Sequence, residues 1–504
     1  MKKIALVLVN QKSIKLIFAY AEVDKCFYIY DELEESVDLV KDLPKGGLIK
    51  STTTNEAIKV LKMFKRLCES QKVEDSFAYV MQFVNKAKNQ VSFIDEIESS
   101  SGFKFNVLSH DQEINAIYLS AINSLDAPRG VIVDVRTDCT NIIKYFRRNI
   151  LFQACIPIGA SSLADLFASA DCDPIEVHRQ MVDFFKTQLV DYGLTPELIE
   201  GYKFICIGSL ADSLFKLYAK KTKYPMNIEH NFSISNQQYD DLYKFIETLD
   251  VDGTKKIKGI SEEGADVFAG AMSIFRAVFD LQSEYEIYFS TYGLKEGLLL
   301  LTTIPTIQEK PIPDITQYSL DALQAQYNLS MNNGNKVCDL AIIIFKQLKV
   351  LHKLPRTYLK SLRVAATLYR CGEVINFKNF YRNCFNIISS SIIFGISHKE
   401  LLLGAFIAEN VDPDSFSLTD WVKYKDLLDE NDLEAMKRLS AILKIAIGLD
   451  ITGSGAITDL SCDVLGDSVI MKTCTESDVS FEIKYALHGA KNFKKAFNKY
   501  LEIL

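Results

Sequence analysis

The sequence predicts an α/β protein of two lobes with a cleft between them, followed by a mostly helical domain and a small α+β tail. Three observations carry that reading. Two β-hairpin patterns, one at the start of the chain and one at 130–149, each open a stretch of alternating strands and helices. The run Thr306 to Gln317, with Pro305, Pro311 and Pro313, reads as a linker. Beyond it, apolar residues recur at i, i+3, i+4 and i+7 through five segments. Two successive α/β halves imply a bilobed fold whose cleft is the natural ligand site.

The elements follow in order. Residues 3–9 form a strand, Gln11-Lys12-Ser13 a turn, and Ile14 to Tyr20 the returning strand. A second hairpin covers 26–50. Glu56 to Glu69 carries Ile58, Leu61, Phe64 and Leu67 at helical spacing after a Thr/Asn cap region. Phe77 to Phe83 is a buried strand, Val91 to Ser99 a helix, Phe105 to Leu108 a strand, and Asp111 to Ser120 opens a helix. The pattern restarts at 130–149 and continues with a return strand (Leu151 to Ile158), a helical stretch from Ser162, and a helix over Pro174 to Tyr192. Phe204 to Ile207 is a strand running into Gly208-Ser209 and a helix from Leu210; Ala265 to Asp280 is a helix and Ile287 to Ser290 a strand. The helical part comprises Leu320 to Leu351, Tyr358 to Leu368, Tyr381 to Ser390, Lys399 to Ala408 and Asp432 to Ile447. The tail reads as three short strands (Ala456 to Leu460, Val469 to Thr473, Phe481 to Tyr485) and a final helix.

Composition limits the function classes. A chain of 504 residues exceeds one hydrophobic core. A net charge of −8 argues against general nucleic-acid or membrane-surface binding. The eleven cysteines are scattered, without a Cys-x-x-Cys pair, and read as reduced and mostly buried thiols. None of the six histidines sits at metal-ligand spacing with another. The apolar start, Ile4 to Val9, breaks at Asn10 and Lys12 with no small-residue cleavage site, so a buried strand is expected rather than a signal peptide. No run reaches the roughly 18 apolar residues of a membrane span. The expectation is a soluble cytoplasmic protein.

The hairpin at 130–143 organises the chain. Val131 to Val133 end on an acid, Asp134, a polar turn follows, and Ile142 and Ile143 begin the return. A turn built for phosphate would carry glycines and hydroxyls, so that backbone N–H groups could approach an anion. Here the tip is Arg136-Thr137-Asp138-Cys139. Cys139 is a weak candidate for a reactive thiol, because Asp138 adjoins it as well as Arg136.

Ser290-Thr291-Tyr292-Gly293-Leu294-Lys295-Glu296-Gly297-Leu298-Leu299-Leu300 resembles the S-x-x-G-[LI]-[RK]-E-G-[LIV]-[LIV] segment of the exopolyphosphatase and guanosine pentaphosphate phosphohydrolase (Ppx/GppA) family. Met436 through Asp450 is similar to that family's R-L-A-x-L-L-R-I-A-x-x-L-D helix, and Ser109 through Leu119 to its S-G-x-E-E-A-R-L-x-Y-L. The resemblance implies two actin-like lobes of the sugar-kinase and ribonuclease H-like kind, over 1–125 and 126–305. It implies a mostly helical HD-like domain over 306–455 and a small α+β tail over 456–504. Dimerisation through the helical domains, Mg²⁺ as cofactor and a polyphosphate or guanosine polyphosphate ligand are further implications of the resemblance.

The family's phosphate chemistry does not carry over intact. In its first hairpin motif, I-D-I-G-S-N-S-I-R-L-V, the acid falls on Leu8 and the glycine on Asn10, leaving Lys12 and Ser13 as phosphate-binding candidates. Its A-T-S-A-L-R-x-A-x-N falls on 80–89, where both hydroxyls and the arginine are lost and Asn85 is the remaining candidate. Its base, the first Glu of E-E-A-R, falls on Gln112, with Glu113 beside it. In its D-I-G-G-G-S-T-E only Asp134 and Thr140 are kept, the glycines becoming Arg136, Thr137 and Asp138. Its G-G-T falls on Gly208-Ser209-Leu210, and the H-D metal pair of the helical domain is absent around Tyr369-Arg370.

The candidate set is therefore Gln112 and Glu113 for catalysis, Asp134 for metal, and Lys12, Ser13, Asn85, Arg136, Thr137, Thr140, Gly208 and Ser209 for phosphate. Phosphoanhydride hydrolysis needs a cradle of N–H groups, carboxylates on Mg²⁺ and an oriented water. Bulky residues at the tip hinder the cradle, Leu8 cannot bind metal, and glutamine cannot take a proton; losing a general base costs about 10²–10⁴ in rate. Three functions remain. The first is a non-catalytic member that binds a phosphate-rich ligand or a protein. The second is an active Mg²⁺-dependent hydrolase with a remodelled site, and the third an ATPase or sugar-kinase-like activity that lacks the glycine turns ATP needs.

Overall fold

The protein is described by a computed structural model over residues 1–168, 173–249, 251–257, 262–329 and 331–504. It divides into two compact units, Met1–Phe215 with Ser233–Pro313, and Lys216–Phe232 with Asp314–Leu504.

The first unit holds two sheets. One is built from β1 (Lys2–Val9), β2 (Ser13–Glu22), β3 (Cys26–Ser36), β4 (Asp75–Val80) and β5 (Phe105–Val107), in the order β3-β2-β1-β4-β5. The first three strands pair antiparallel, and β4 and β5 add in parallel. The other sheet comprises β6 (Arg129–Val135), β7 (Thr140–Phe146), β8 (Asn149–Ile156), β9 (Lys203–Ile207), β10 (Ser233–Ser235) and β11 (Glu286–Ser290). Its order is β10-β11-β9-β6-β7-β8. Read from β8 to β11 it repeats the first: three antiparallel strands, then two parallel ones. This duplicated five-strand order is the actin-like arrangement that the resemblance implies, and the short β10 is an addition the sequence did not announce. Central strands are buried on both faces, as near-continuous apolar runs demand: Ala5, Leu6, Val7 and Val9 in β1, and Val131, Ile132 and Val133 in β6, are closed to solvent.

The parallel strands require helical crossovers. Among the helices on these connections are α1 (Ser51–Ser70) and α2 (Gln90–Ser101) in the first half and α4 (Ala160–Phe167), α5 (Pro174–Asp191) and α6 (Glu262–Phe279) in the second, while α3 (His110–Ile122) leads from the first sheet to the second. After β11 the chain does not stay with its own sheet. Helix α7 (Leu294–Thr303) packs on α3 so closely that a Cβ at Gly297 would sit 1.9 Å from the carbonyl oxygen of Ala116. The motif around Gly293 is structural throughout. The Gly293 N–H donates to Glu296 Oε2 at 2.8 Å, Tyr292 N donates to Ser290 Oγ at 3.1 Å, and Lys295 pairs with Glu32 of β3.

The second unit has one core, formed by residues such as Leu340, Ile344, Leu362, Phe406, Leu439 and Leu443, to which Val469, Met471 and Phe493 of the tail contribute. The sequence places a single helix over Leu320 to Leu351; the structure breaks it, with helices Ile315–Gln326 and Met331–Gln347 and a left-handed residue, Asn328 (φ 52°), after the first. Phe481 to Tyr485, expected as a strand, lies in a helix, Ser480–Leu487. Its alternation F-E-I-K-Y imitates a strand, but Val479, Glu482 and Ala486 are the buried positions, a helical spacing. The sheet that remains is β12 (Asp459–Val464), β13 (Ser468–Cys474) and β14 (Tyr500–Ile503), the last missed from sequence.

Candidate functional site

The two β-hairpin tips of the first unit meet. Gln11, between β1 and β2, donates a hydrogen bond from its side-chain amide to Asp138, between β6 and β7. Tip 136–139 is closed by a hydrogen bond from Arg136 N to the Cys139 carbonyl at 2.9 Å. Its other carbonyls accept from the start of α4, Arg136 O from Ala160 N at 2.8 Å and Thr137 O from Ser161 N at 2.9 Å. Gly159 permits this approach: a Cβ there would lie 2.4 Å from Arg136 O.

Arg136 is the centre of the site. Its Nε donates to Asp134 Oδ2 at 2.9 Å, and one terminal nitrogen donates to Glu113 Oε2 at 2.8 Å. Asp134 is 6% exposed and also accepts from Asn141 Nδ2 at 3.1 Å, its cross-strand partner on β7. Glu113, on α3, is 4% exposed and accepts a backbone hydrogen bond from Gln82. Burial pushes the Glu113 carboxyl above the usual carboxylate range, and the Arg136 charge opposes that rise. The two buried acids hold the Arg136 guanidinium protonated against the cost of its own burial. One guanidinium thus bridges one oxygen of each acid that the sequence offers for metal and water.

The other candidates are placed as follows. Gln112 is exposed and closes a capping box on α3: Ser109 N donates to its Oε1 at 2.9 Å, and its own N donates to Ser109 Oγ at 3.2 Å. Thr140 is buried and donates to the Ile158 carbonyl at 2.8 Å. Lys12 is exposed at the first tip, and its carbonyl accepts from Val37 N at 3.0 Å; Ser13 begins β2 and hydrogen-bonds Glu34. Asn85 and Thr137 are exposed. Gly208 takes φ +96°, a conformation that favours glycine, and a Cβ there would lie 3.2 Å from Asp134 Oδ1; Ser209 follows it, exposed, at the start of helix Ser209–Thr222. Of the lysines near the cleft, Lys15 pairs with Glu34 at 3.0 Å. The structure therefore brings Asp134, Arg136 and Glu113 together with Gly208, and leaves Gln112 and Thr140 engaged elsewhere.

A Mg²⁺ site needs free carboxylate oxygens. Asp134 and Glu113 meet only through Arg136, and among the described residues no cluster of three or more His, Cys, Asp or Glu is arranged to hold a metal ion. The residues present do not fit the cofactor in this arrangement. The corresponding region of the helical unit is also filled: Cys384 Sγ accepts from Gly372 N at 3.2 Å and donates to the Tyr369 carbonyl at 3.1 Å. Sequence reasoning missed the Asn141 contact and the bridging geometry of Arg136. The signal was present as an arginine two residues from an acid on a hairpin, but two-residue spacing across a turn does not say which way a guanidinium folds.

Comparisons with known proteins agree with the architecture. The Ppx/GppA phosphatase family profile matches residues 17–303, and that of Ppx/GppA phosphatase domain III matches residues 315–487. The crystal structure of the Aquifex aeolicus member of the Ppx/GppA protein family superposes with a TM-score of 0.53 at 20% identity, covering 60% of this chain and 97% of that one. An exopolyphosphatase from Cytophaga hutchinsonii gives 0.52 at 20% identity over 60% of this chain and 98% of that one. At that identity the likeness is one of fold. A guanosine-5'-triphosphate,3'-diphosphate pyrophosphatase of Aliivibrio fischeri is 27% identical over 166 residues, 33% of this chain and 31% of the relative.

Proposed function

The chain belongs to the Ppx/GppA phosphatase family, and from that premise we propose that it is a non-catalytic member acting by binding a phosphate-rich ligand or a protein partner. The observation that carries the reading is the Asp134–Arg136–Glu113 bridge. A hydrolase of this fold needs its acids free for a metal and a water, and its hairpin backbone open to phosphate. Here a guanidinium occupies the acids, the glycines are replaced, and Asp138 adds a negative charge at the tip. Polyphosphate or a guanosine polyphosphate is the small-molecule candidate, on the family's chemistry; homodimerisation and a cytoplasmic setting belong to the same reading.

The test is phosphate release from long-chain polyphosphate and from guanosine pentaphosphate, with and without Mg²⁺, with Asp134→Ala as control. No Mg²⁺-dependent release from folded protein is expected. Thermal stabilisation by one of these compounds without turnover would identify it as a ligand, since a molecule binding only the folded state raises stability by mass action. Mg²⁺-dependent release that vanishes in Asp134→Ala would establish a remodelled active site and overturn the reading.

A further inference from the structure

Beside the Arg136 bridge lies a cluster that the proposed function does not use. Cys139 ends the hairpin tip, and Cys155 lies on β8 opposite Asn141, in the register that also sets Thr140 against Ile156. Cys139 immediately precedes β7, one step from the strand pair Thr140–Ile156 that adjoins Asn141–Cys155, and its thiol hydrogen-bonds Cys155. Both thiols are partly exposed. Helix α3 starts against them: Gln153 of β8 donates to Asp111 Oδ1 at 3.1 Å, and His110, the first residue of α3, hydrogen-bonds Cys155.

We propose that Cys139 and Cys155 form a redox-responsive thiol pair, in which Cys155 attacks hydroperoxides and Cys139 resolves the product to a disulfide. The surroundings divide the roles. The hydrogen bond from Cys139, then those of His110 with the charges of His110 and Arg136, draw the Cys155 thiol down to about 5 against the effect of burial. Cys139 is pushed up by its hydrogen bond to Cys155, by burial and by Asp138. His110 is raised chiefly by its contact with Cys155, with Glu113 adding and Arg136 opposing. The surroundings thus favour negative charge at Cys155 and a proton on His110 and Cys139.

The chemistry balances. The Cys155 thiolate attacks the terminal oxygen of a hydroperoxide; the S–O bond forms, the O–O bond breaks, and the alcohol or water leaves with a proton from His110. Sulfur is oxidised by two electrons to a sulfenic acid and the peroxide is reduced. Cys139 then attacks that sulfur, the S–S bond forms, the S–O bond breaks, and the hydroxyl leaves as water with the Cys139 proton. Because Cys139 adjoins Asp138, the disulfide forms next to the contact between the hairpin tips.

The test uses the full chain, with the exposed Cys474 as internal reference. Alkylation by iodoacetamide is followed by peptide mass spectrometry against pH. A thiol of ordinary acidity loses rate about tenfold per unit below its pKa of about 8.5. Cys155 is expected to stay within about threefold from pH 8 to 6, and His110→Gln to steepen its profile. Stoichiometric hydrogen peroxide should then yield a Cys139–Cys155 linked peptide reversible by dithiothreitol, and Cys139→Ser should stop at a dimedone-reactive Cys155. A Cys155 profile as steep as that of an ordinary thiol, or peroxide-treated wild type without the linked peptide, overturns the proposal; neither measurement depends on a variant that folds.

Discussion

Arg136 occupies a position where a phosphate-handling hairpin has glycine, and its side chain balances two acids that are each less than a tenth exposed. Removing one partner of such a group leaves charges uncompensated in a poorly solvated site, which costs on the order of 3 kcal/mol. Arg136→Ala is therefore expected to lower unfolding free energy by about that amount at neutral pH, measured by urea titration. The pH dependence has a definite sign. The Glu113 carboxyl already lies above its ordinary range, and losing the guanidinium raises it further. The folded variant then binds protons more readily than the unfolded chain, so its deficit shrinks as pH falls through the carboxylate range. A deficit that stays constant to pH 4 would show that the bridge is not what the mutation removed. At this scale the sequence was legible for residue types and silent on partners. Asp134 reads from sequence as a metal ligand or a strand-end acid; the structure sets it next to the last residue of β6, accepting from Arg136 and Asn141. Gln112 is equally visible as a departure, yet its capping role depends on which helix position it takes, and a one-residue shift exchanges it with Glu113.

Among the elements, α7 carries the best-preserved motif of the chain and is engaged almost wholly in packing. Gly297→Ala would drive a methyl into the Ala116 carbonyl, and the expected loss is about 2–3 kcal/mol with α3 displaced, readable as lowered Tm and faster hydrogen exchange in α3. An unchanged Tm would mean that the two helices part easily. The motif was legible because close backbone approach demands glycine at fixed positions. The tail was less so: β14 is four residues long, and the helix Ser480–Leu487 carries an alternating pattern that its buried positions override. β3 shows the opposite case, where Asp31, Glu32, Glu34 and Glu35 charge an edge strand, an arrangement that discourages pairing with another chain.

For the whole molecule, each unit contains a buried histidine whose charged form burial disfavours. His178 faces Ser273 Oγ at 2.9 Å, and His398 accepts from Tyr224 at 2.7 Å while its other nitrogen donates to the His230 carbonyl at 3.0 Å. Burial lowers both to about 4 from 6.5. The unfolded chain then binds more protons between those values, so stability is present above pH 6.5 and falls as pH drops toward 4. Each histidine should cost about 2 kcal/mol at pH 5. His178→Gln and His398→Gln should each flatten the acid limb of the stability curve, in the first and second unit respectively. An acid limb that neither variant alters would assign the loss to carboxylates instead. The division into units was legible only in outline, because Lys216–Phe232 joins the helical unit from within the α/β sequence and no local pattern marks that exchange.

The return of α7 to α3 has a consequence for synthesis. Ala116 leaves the ribosome about 180 residues before Gly297, which at about 5–20 residues per second is roughly ten to forty seconds. Through that interval the face of α3 that Gly297 will cover has no mate. The first lobe is thus completed only after the second has been translated, and a nascent chain cut short before residue 294 is expected to be the species that chaperones hold.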